Sequence, residues 1–406
     1  MSPISHKQAL YSLILLLLVF GAGCSSDSNE SESAQSSNPN DFLVNYTAAQ
    51  QLNTQSINTL YSLTWGENST ARLQDIQLYK IEYSTTTFNQ EPITASGLVL
   101  LPTNRNQSLG VVSLQHGTLL NDFQAPSTAN ILNSETAIGA VLAGHGFAVV
   151  MPDYLGYQSS NQISHPYEEQ STLAQSTYDM LQASYELFNE IEVQLNNKLF
   201  LAGYSEGGYA TMALHRKIES EDRWDVTHSY PAAGAYNKTA FSRAVLEQDQ
   251  ELPYMLSYLW VLYTYNTLYP TLNRPWNTIV QDSYAELMEG FNPLQASFDT
   301  LAEIPQNPQE LFRPEFIQGI LSGTDSAFLE VLDQNDNFDW ASEAPITLFH
   351  GTADDYVLPL NSQTAYDALS QYNAEVNYIA LNQLDHSSAV LPYLEQVLTK
   401  LLLELN

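Results

Sequence analysis

The five residues Gly203-Tyr-Ser-Glu-Gly207 constrain the fold of this 406-residue chain more than any other stretch. They follow an apolar run, Lys198-Leu-Phe-Leu-Ala202, and precede a helical pattern, Gly208-Tyr-Ala-Thr-Met-Ala-Leu-His215. The pattern predicts a strand, a very tight turn and a helix. Such a turn leaves Ser205 strained, with its Oγ exposed above a sheet. The flanking glycines suit a place where a Cβ would collide with the neighbouring strand and helix. A G-x-S-x-G match alone is weak, because Gly and Ser are common in loops. The strand and helix patterns on either side give this one its weight.

Two downstream segments carry further chemistry. Ile346-Thr-Leu-Phe-His-Gly-Thr-Ala-Asp-Asp-Tyr-Val-Leu-Pro359 reads as a strand followed by a turn bearing two adjacent acids, Asp354 and Asp355. Asp is favoured in any turn, so the order of features matters more than the residue type. Glu375–Leu381 alternates as a strand. His386 falls in the loop after it, before a closing helix from about Ala389 to Leu403. The other internal histidines (His116, His145, His165, His215, His228 and His350) each have a local strand, helix or loop explanation. Upstream, Gly110-Val-Val-Ser-Leu-Gln-His-Gly-Thr-Leu119 reads as a strand running into a single-glycine loop.

On these residues the chain resembles an α/β-hydrolase of the lipase/esterase type, similar to bacterial lipoprotein relatives of secreted lipases. The resemblance covers roughly 65–236 and 342–406, and includes the loop Asp153-Tyr-Leu-Gly-Tyr157. It implies the order Ser205, acid, His386 for a catalytic triad. H-G-x-x-D-x-x-V resembles the acid-bearing loop of that superfamily and picks Asp354, with Asp355 as the alternate. It also implies an oxyanion hole from the N–H of Glu206, after the nucleophile, and the N–H of Thr118. No metal or organic cofactor is implied. The expected activity is serine ester hydrolysis of a neutral, short-to-medium acyl substrate. The alternatives are a serine peptidase on the same scaffold, or a non-catalytic binding lipoprotein. Peptidases of this kind often carry a propeller, and no propeller repeat is visible; binding relatives usually lose the Ser or His.

Strand and helix patterns alternate along most of the chain, which predicts an α/β fold with a mostly parallel central sheet and helices on both faces. Residues 42–62 read as a helix packed on the domain. Leu73–Tyr83 and Ala95–Pro102 read as antiparallel first strands, Val111–Gln115 as the third and Phe147–Pro152 as the fourth. Helices are expected over Glu135–His145 and Tyr167–Glu190, and the sixth strand over Val226–Ala235. From 237 to 341 the strand pattern stops, which predicts a helical cap inserted after the sixth strand. Leu252, Met255, Leu256, Leu259 and Leu262 recur there at helical spacing, interleaved with aromatics. That stripe reads first as core, with the wall of an acyl pocket as the alternative. Further helices are expected over Gln281–Gly290 and Pro308–Ser322. Asp333–Asp339 has the early acids of a calcium loop but lacks its Gly and closing Glu, so it reads as a plain loop. The catalytic domain is thus assigned to 42–236 and 342–406, and the cap to 237–341.

With 13 Lys and Arg against 45 Asp and Glu, the formal charge is −32. Such a chain repels nucleic acid and anionic bilayers. At the N-terminus, Lys7 precedes the apolar run Ala9–Phe20, which is too short to span a bilayer comfortably. Gly21-Ala-Gly-Cys24 ends it with the chain's single cysteine, so no internal disulfide is possible. This resembles a bacterial lipoprotein signal over 1–24, with Cys24 as the lipidated residue. It departs from that pattern in having Gly21 where Leu is usual. Residues 25–41 are a polar tether that cannot bury a core. Ser25 after the cysteine implies, by the same resemblance, the outer membrane of a Gram-negative envelope, with a soluble catalytic domain and contact to the membrane only through the lipid.

Overall fold

The computed structural model describes residues 41–405, apart from 68, 70, 71, 105, 253, 290, 292, 295–303, 373 and 374. The expected signal peptide, Cys24 and the tether up to residue 40 lie outside the described residues.

A nine-stranded sheet runs in the order β1-β2-β3-β5-β4-β6-β7-β8-β9. The strands are β1 (Leu43–Leu52), β2 (Ile76–Thr86), β3 (Pro92–Pro102), β4 (Leu109–Gln115), β5 (Ala148–Pro152), β6 (Leu195–Tyr204), β7 (His228–Ala232), β8 (Ile346–Gly351) and β9 (Val376–Leu381). β1, β2, β3 and β5 pair antiparallel in sequence, and from β5 to β9 every pairing is parallel. The parallel strands β4, β5 and β8 are buried along their whole length, as expected where helices cover both faces. Alternate residues serve opposite faces. Val112 and Leu114 pack with α1 (Thr54–Trp65), α2 (Ser134–Gly144) and the closing helix α12 (Val390–Glu404). Val111 packs with α3 (Gln170–Glu190) and α4 (Glu206–Glu221) on the other face.

The helix expected over 42–62 is instead a strand and a helix. β1 pairs along β2 with two register shifts, and Asn53 then breaks the chain and caps α1 by accepting from the Ser56 N–H at 2.9 Å. The chain enters β1 pinned by Glu186 of α3, whose carboxylate accepts from the N–H groups of Asp41, Phe42 and Leu43. Pairing with a distant strand overrides a weak local helical pattern. One strand is therefore added at the start, and the strand expected as sixth is β7.

The segment between β7 and β8 is helical: α5 (Lys238–Leu246), α6 (Met255–Leu268), α7 (Asp282–Met288), α8 (Pro308–Leu311), α9 (Pro314–Leu321) and α10 (Ser326–Gln334), with α11 (Leu360–Leu369) following β8. The single helix expected over 308–322 is split. Pro314 holds Arg313 extended at φ −72°, ψ 141°, and Phe312 pairs with Val280 in an isolated bridge. These helices bury a core of their own, including Met255, Leu259, Trp260, Val280, Ile320 and Val331.

Candidate active site

The turn at Ser205 is built from backbone contacts. Ser205 has φ 60° and ψ −124°, an uncommon conformation for a residue with a side chain, and its N–H donates to Ala232 O on β7 at 2.9 Å. A Cβ on Gly203 would lie 2.2 Å from Gly207 O, one on Gly207 would lie 2.2 Å from Gln115 O on β4, and one on Gly208 would lie 2.1 Å from Ala232 O. Glycine is thus required where α4 crosses the ends of β4 and β7, and this packing holds the strained serine in place.

His386 Nε2 lies 2.9 Å from Ser205 Oγ, and His386 Nδ1 lies 2.7 Å from Asp354 Oδ2. The sequence-selected serine, acid and histidine therefore meet as one hydrogen-bonded chain. Asp355, the alternate acid, is exposed. Asp354 is buried, and its Oδ1 accepts from the N–H groups of Tyr356 and Val357 at 3.0 and 2.9 Å. Burial alone would raise its pKa. Hydrogen bonds from His350 and His386 outweigh it and hold the carboxyl at about 2. Asp354 thus stays ionised, which keeps the proton of His386 on Nδ1 and leaves Nε2 free to accept from Ser205.

His350 has a local role that the sequence reading missed. Its Nε2 faces the carbonyl of Val357 at 2.7 Å, so that nitrogen must carry the proton, and the same N–H reaches Asp354 Oδ2 at 3.2 Å. Its Nδ1 then accepts from Ser362 Oγ at 2.6 Å. The H-G-x-x-D spacing places both residues on one turn, but only the carbonyl of Val357 settles which nitrogen donates.

Thr118 follows β4. A Cβ on its neighbour Gly117 would lie 3.9 Å from Ser205 Cβ. The Asp153–Tyr157 loop fixes this segment from behind: Tyr154 donates to His116 O at 2.9 Å and Tyr157 to Leu119 O at 2.8 Å. Gly156, at φ 90°, leaves room for His165, whose Cα would lie 2.3 Å from an added Cβ. Glu206 is the first residue of α4, so its N–H has no acceptor within its own helix. Its side chain turns inward to His165 Nε2 at 2.7 Å, while His165 Nδ1 donates to Leu155 O at 2.6 Å.

Ser205 opens into a cavity of about 80 Å³ running beneath the helical segment. α5 contributes Phe241 and Val245, α6 contributes Tyr258, Val261 and Leu262, and Phe312, Phe316 and Phe328 add to the apolar lining. Of the apolar stripe, Met255, Leu259 and Leu262 are buried in the core of these helices, and Leu262 lines the cavity as well. Two charged residues interrupt the apolar lining, Glu168 and Lys238. Among the described residues no group of His, Cys, Asp or Glu is placed to hold a metal ion.

The model of the secretory lipase family matches residues 122–393, more than half of the chain. This chain belongs to that family. It is accordingly an α/β-hydrolase that acts on ester substrates. A Legionella pneumophila protein described as a hydrolase is similar at 27% identity over 88% of this chain and 97% of its own, with a TM-score of 0.81. The rice cell wall degrading esterase LipA of Xanthomonas oryzae shares the fold at 22% identity, over 90% and 97% of the two chains, TM-score 0.75. Candida antarctica lipase A shares it at 15% identity, over 84% and 78%, TM-score 0.61. No curated protein matches the chain. Among the described residues no helix is long and apolar enough to cross a membrane.

Proposed function

We propose that this member of the secretory lipase family hydrolyses neutral, short-to-medium acyl esters through an acyl-enzyme on Ser205. The observation that carries the reading is the Ser205–His386–Asp354 chain at the mouth of an apolar cavity. His386 Nε2 takes the Ser205 proton as Oγ attacks the ester carbonyl, and Asp354 stabilises the imidazolium that forms. The N–H groups of Thr118 and Glu206 receive the developing oxyanion, and the α4 N-terminus favours the same charge. His386 then protonates the departing alcohol. A water, deprotonated by the same nitrogen, attacks the acyl-enzyme and releases the carboxylic acid.

Substrate size follows from the cavity. Its confined space of about 80 Å³ and mostly apolar lining support an acyl chain of short to medium length. The net charge of −32 disfavours anionic substrates by repulsion, an effect salt weakens. The protein is held in the cell envelope, at the outer membrane, by lipid on Cys24, a reading supported by the lone cysteine after an apolar run.

A panel of p-nitrophenyl esters of graded acyl length, with amide analogues, tests the activity. Ester turnover with weak amide turnover is expected. Ser205→Ala should lower kcat by about 10⁴ or more and abolish fluorophosphonate labelling. Retained turnover in the purified variant refutes the mechanism.

A further inference from the structure

Glu168 and Lys238 are the charged residues lining the cavity, and both are almost fully buried, at 6% and 2% exposure. They come from different segments of the chain. Glu168 precedes α3, whereas Lys238 opens α5 at the start of the helical segment. Lys238 Nζ donates to Glu168 Oε2 and sits 4.2 Å from the ring centre of Tyr209. Among the described residues Glu168 Oε1 accepts no hydrogen bond from the protein, and one N–H of the ammonium remains after Oε2 and the ring are served.

The pair is held in place at some expense. Glu168 has φ 52°, a left-handed conformation disfavoured for a residue with a side chain. Two tyrosines of α6 and its C-terminal end keep it there. Tyr265 donates to Glu168 O at 3.0 Å, and Tyr269 donates to Glu169 Oε1 at 2.9 Å. The Glu169 carboxylate in turn caps α3 through the Thr172 N–H at 2.8 Å. A buried ion pair is weak evidence for stability, since desolvation offsets most of its attraction. Packing alone would be served as well by two apolar side chains in a wall that is mostly apolar.

We propose that the Glu168–Lys238 pair recognises a hydroxyl group on the acyl chain, making hydroxyacyl esters the preferred substrate class of this cavity. A hydroxyl donates to the free oxygen of Glu168 and accepts from the free N–H of Lys238, so both unused valences are filled at once. A charged group gains from one partner and is repelled by the other. An alkyl chain satisfies neither. This inference rests on the reading of Ser205 as the nucleophile of an ester hydrolase.

The test uses the full chain and matched p-nitrophenyl esters: butyrate against 2- and 3-hydroxybutyrate, and hexanoate against 6-hydroxyhexanoate. Each kcat/KM ratio is divided by the ratio for alkaline hydrolysis, which removes intrinsic reactivity. At least one hydroxylated ester should exceed its parent about tenfold, the scale of a hydrogen bond to a charged group. In the Glu168→Gln/Lys238→Met double variant that corrected ratio should fall to one or below. The wild-type comparison stands even if the variant fails to fold. Corrected ratios at or below one for every hydroxyl position, or a ratio unchanged in a folded double variant, overturn the proposal while leaving ester hydrolysis intact. Absence of any ester turnover and of fluorophosphonate labelling overturns the nucleophile reading, and this proposal with it.

Discussion

Asp354→Asn isolates what the buried acid contributes, because four N–H groups converge on its carboxylate. Tyr356 and Val357 donate to Oδ1 from the backbone, while His386 and His350 donate to Oδ2. Asparagine offers one oxygen and one NH₂, so it can serve only one side. The backbone N–H groups cannot change protonation, and His350 is fixed as a donor by the Val357 carbonyl. His386 alone can change tautomer. The asparagine oxygen therefore takes the backbone side, its NH₂ donates to His386 Nδ1, and the imidazole proton moves to Nε2, facing Ser205. A histidine in that form cannot accept the Ser205 proton, and kcat should fall by about 10⁴ with little change in KM. Asp355→Asn, at an exposed position, should stay near wild type.

The same substitution has a signature in stability. The Asp354 carboxyl lies at about 2 in the folded chain against an ordinary 3.8, a shift worth about 2.5 kcal/mol. Because the folded pKa is depressed, this increment is present above the unfolded pKa. It is lost as pH falls through 3.8 towards 2. Urea unfolding from pH 5 downward should show the wild type losing its advantage over Asp354→Asn across that window. An Asp354→Asn enzyme that keeps more than about a tenth of wild-type kcat, or one matched in damage by Asp355→Asn, refutes the assignment of the acid.

Other expectations follow from the packing. Gly208→Ala should destabilise the fold by about 3 kcal/mol, read as a lowered urea midpoint, since the new Cβ meets Ala232 O at 2.1 Å. Val261→Trp should fill the cavity lined by α6 and cut hexanoate turnover about tenfold more than acetate turnover; an unchanged profile places the acyl chain elsewhere. Cys24→Ser should move the protein from the membrane to the soluble fraction, and continued sedimentation with membranes counts against lipidation.

What the sequence revealed and what it hid differ in physical range. The elbow was legible because its geometry admits few residue types. Three glycines whose Cβ positions fall within 2.2 Å of backbone oxygen leave a mark in sequence. His386 and Asp354 were legible because each stands just past a strand. β1 was not, since Leu43–Leu52 is largely exposed at the sheet edge and owes its form to β2, which lies beyond an intervening helix. The break at Arg313 was locally readable, because Pro314 disfavours a helical conformation in the preceding residue. The Glu168–Lys238 pair gave no signal, as its members lie 70 residues apart and each reads as an ordinary surface charge.

The apolar stripe on α6 shows why core and pocket were not separable readings. Met255, Leu259 and Tyr265 are buried among the helices between β7 and β8, while Tyr258, Val261 and Leu262 line the cavity. The same helix holds the acid loop: Tyr258 donates to Tyr356 O at 2.6 Å, and Ser257 bonds the Tyr356 hydroxyl. Tyr356 stands two residues after Asp354 and donates its own N–H to that carboxylate. Its ring also meets His386 edge-on at 4.7 Å. A side chain that lines the cavity at Ser205 is therefore one hydrogen bond from the loop that carries Asp354. Enlarging the cavity from α6 and disturbing the His386–Asp354 pair are mechanically linked, whereas enlarging it from Phe316 or Phe328, on helices that make no hydrogen bond to this loop among the described residues, leaves the pair in place.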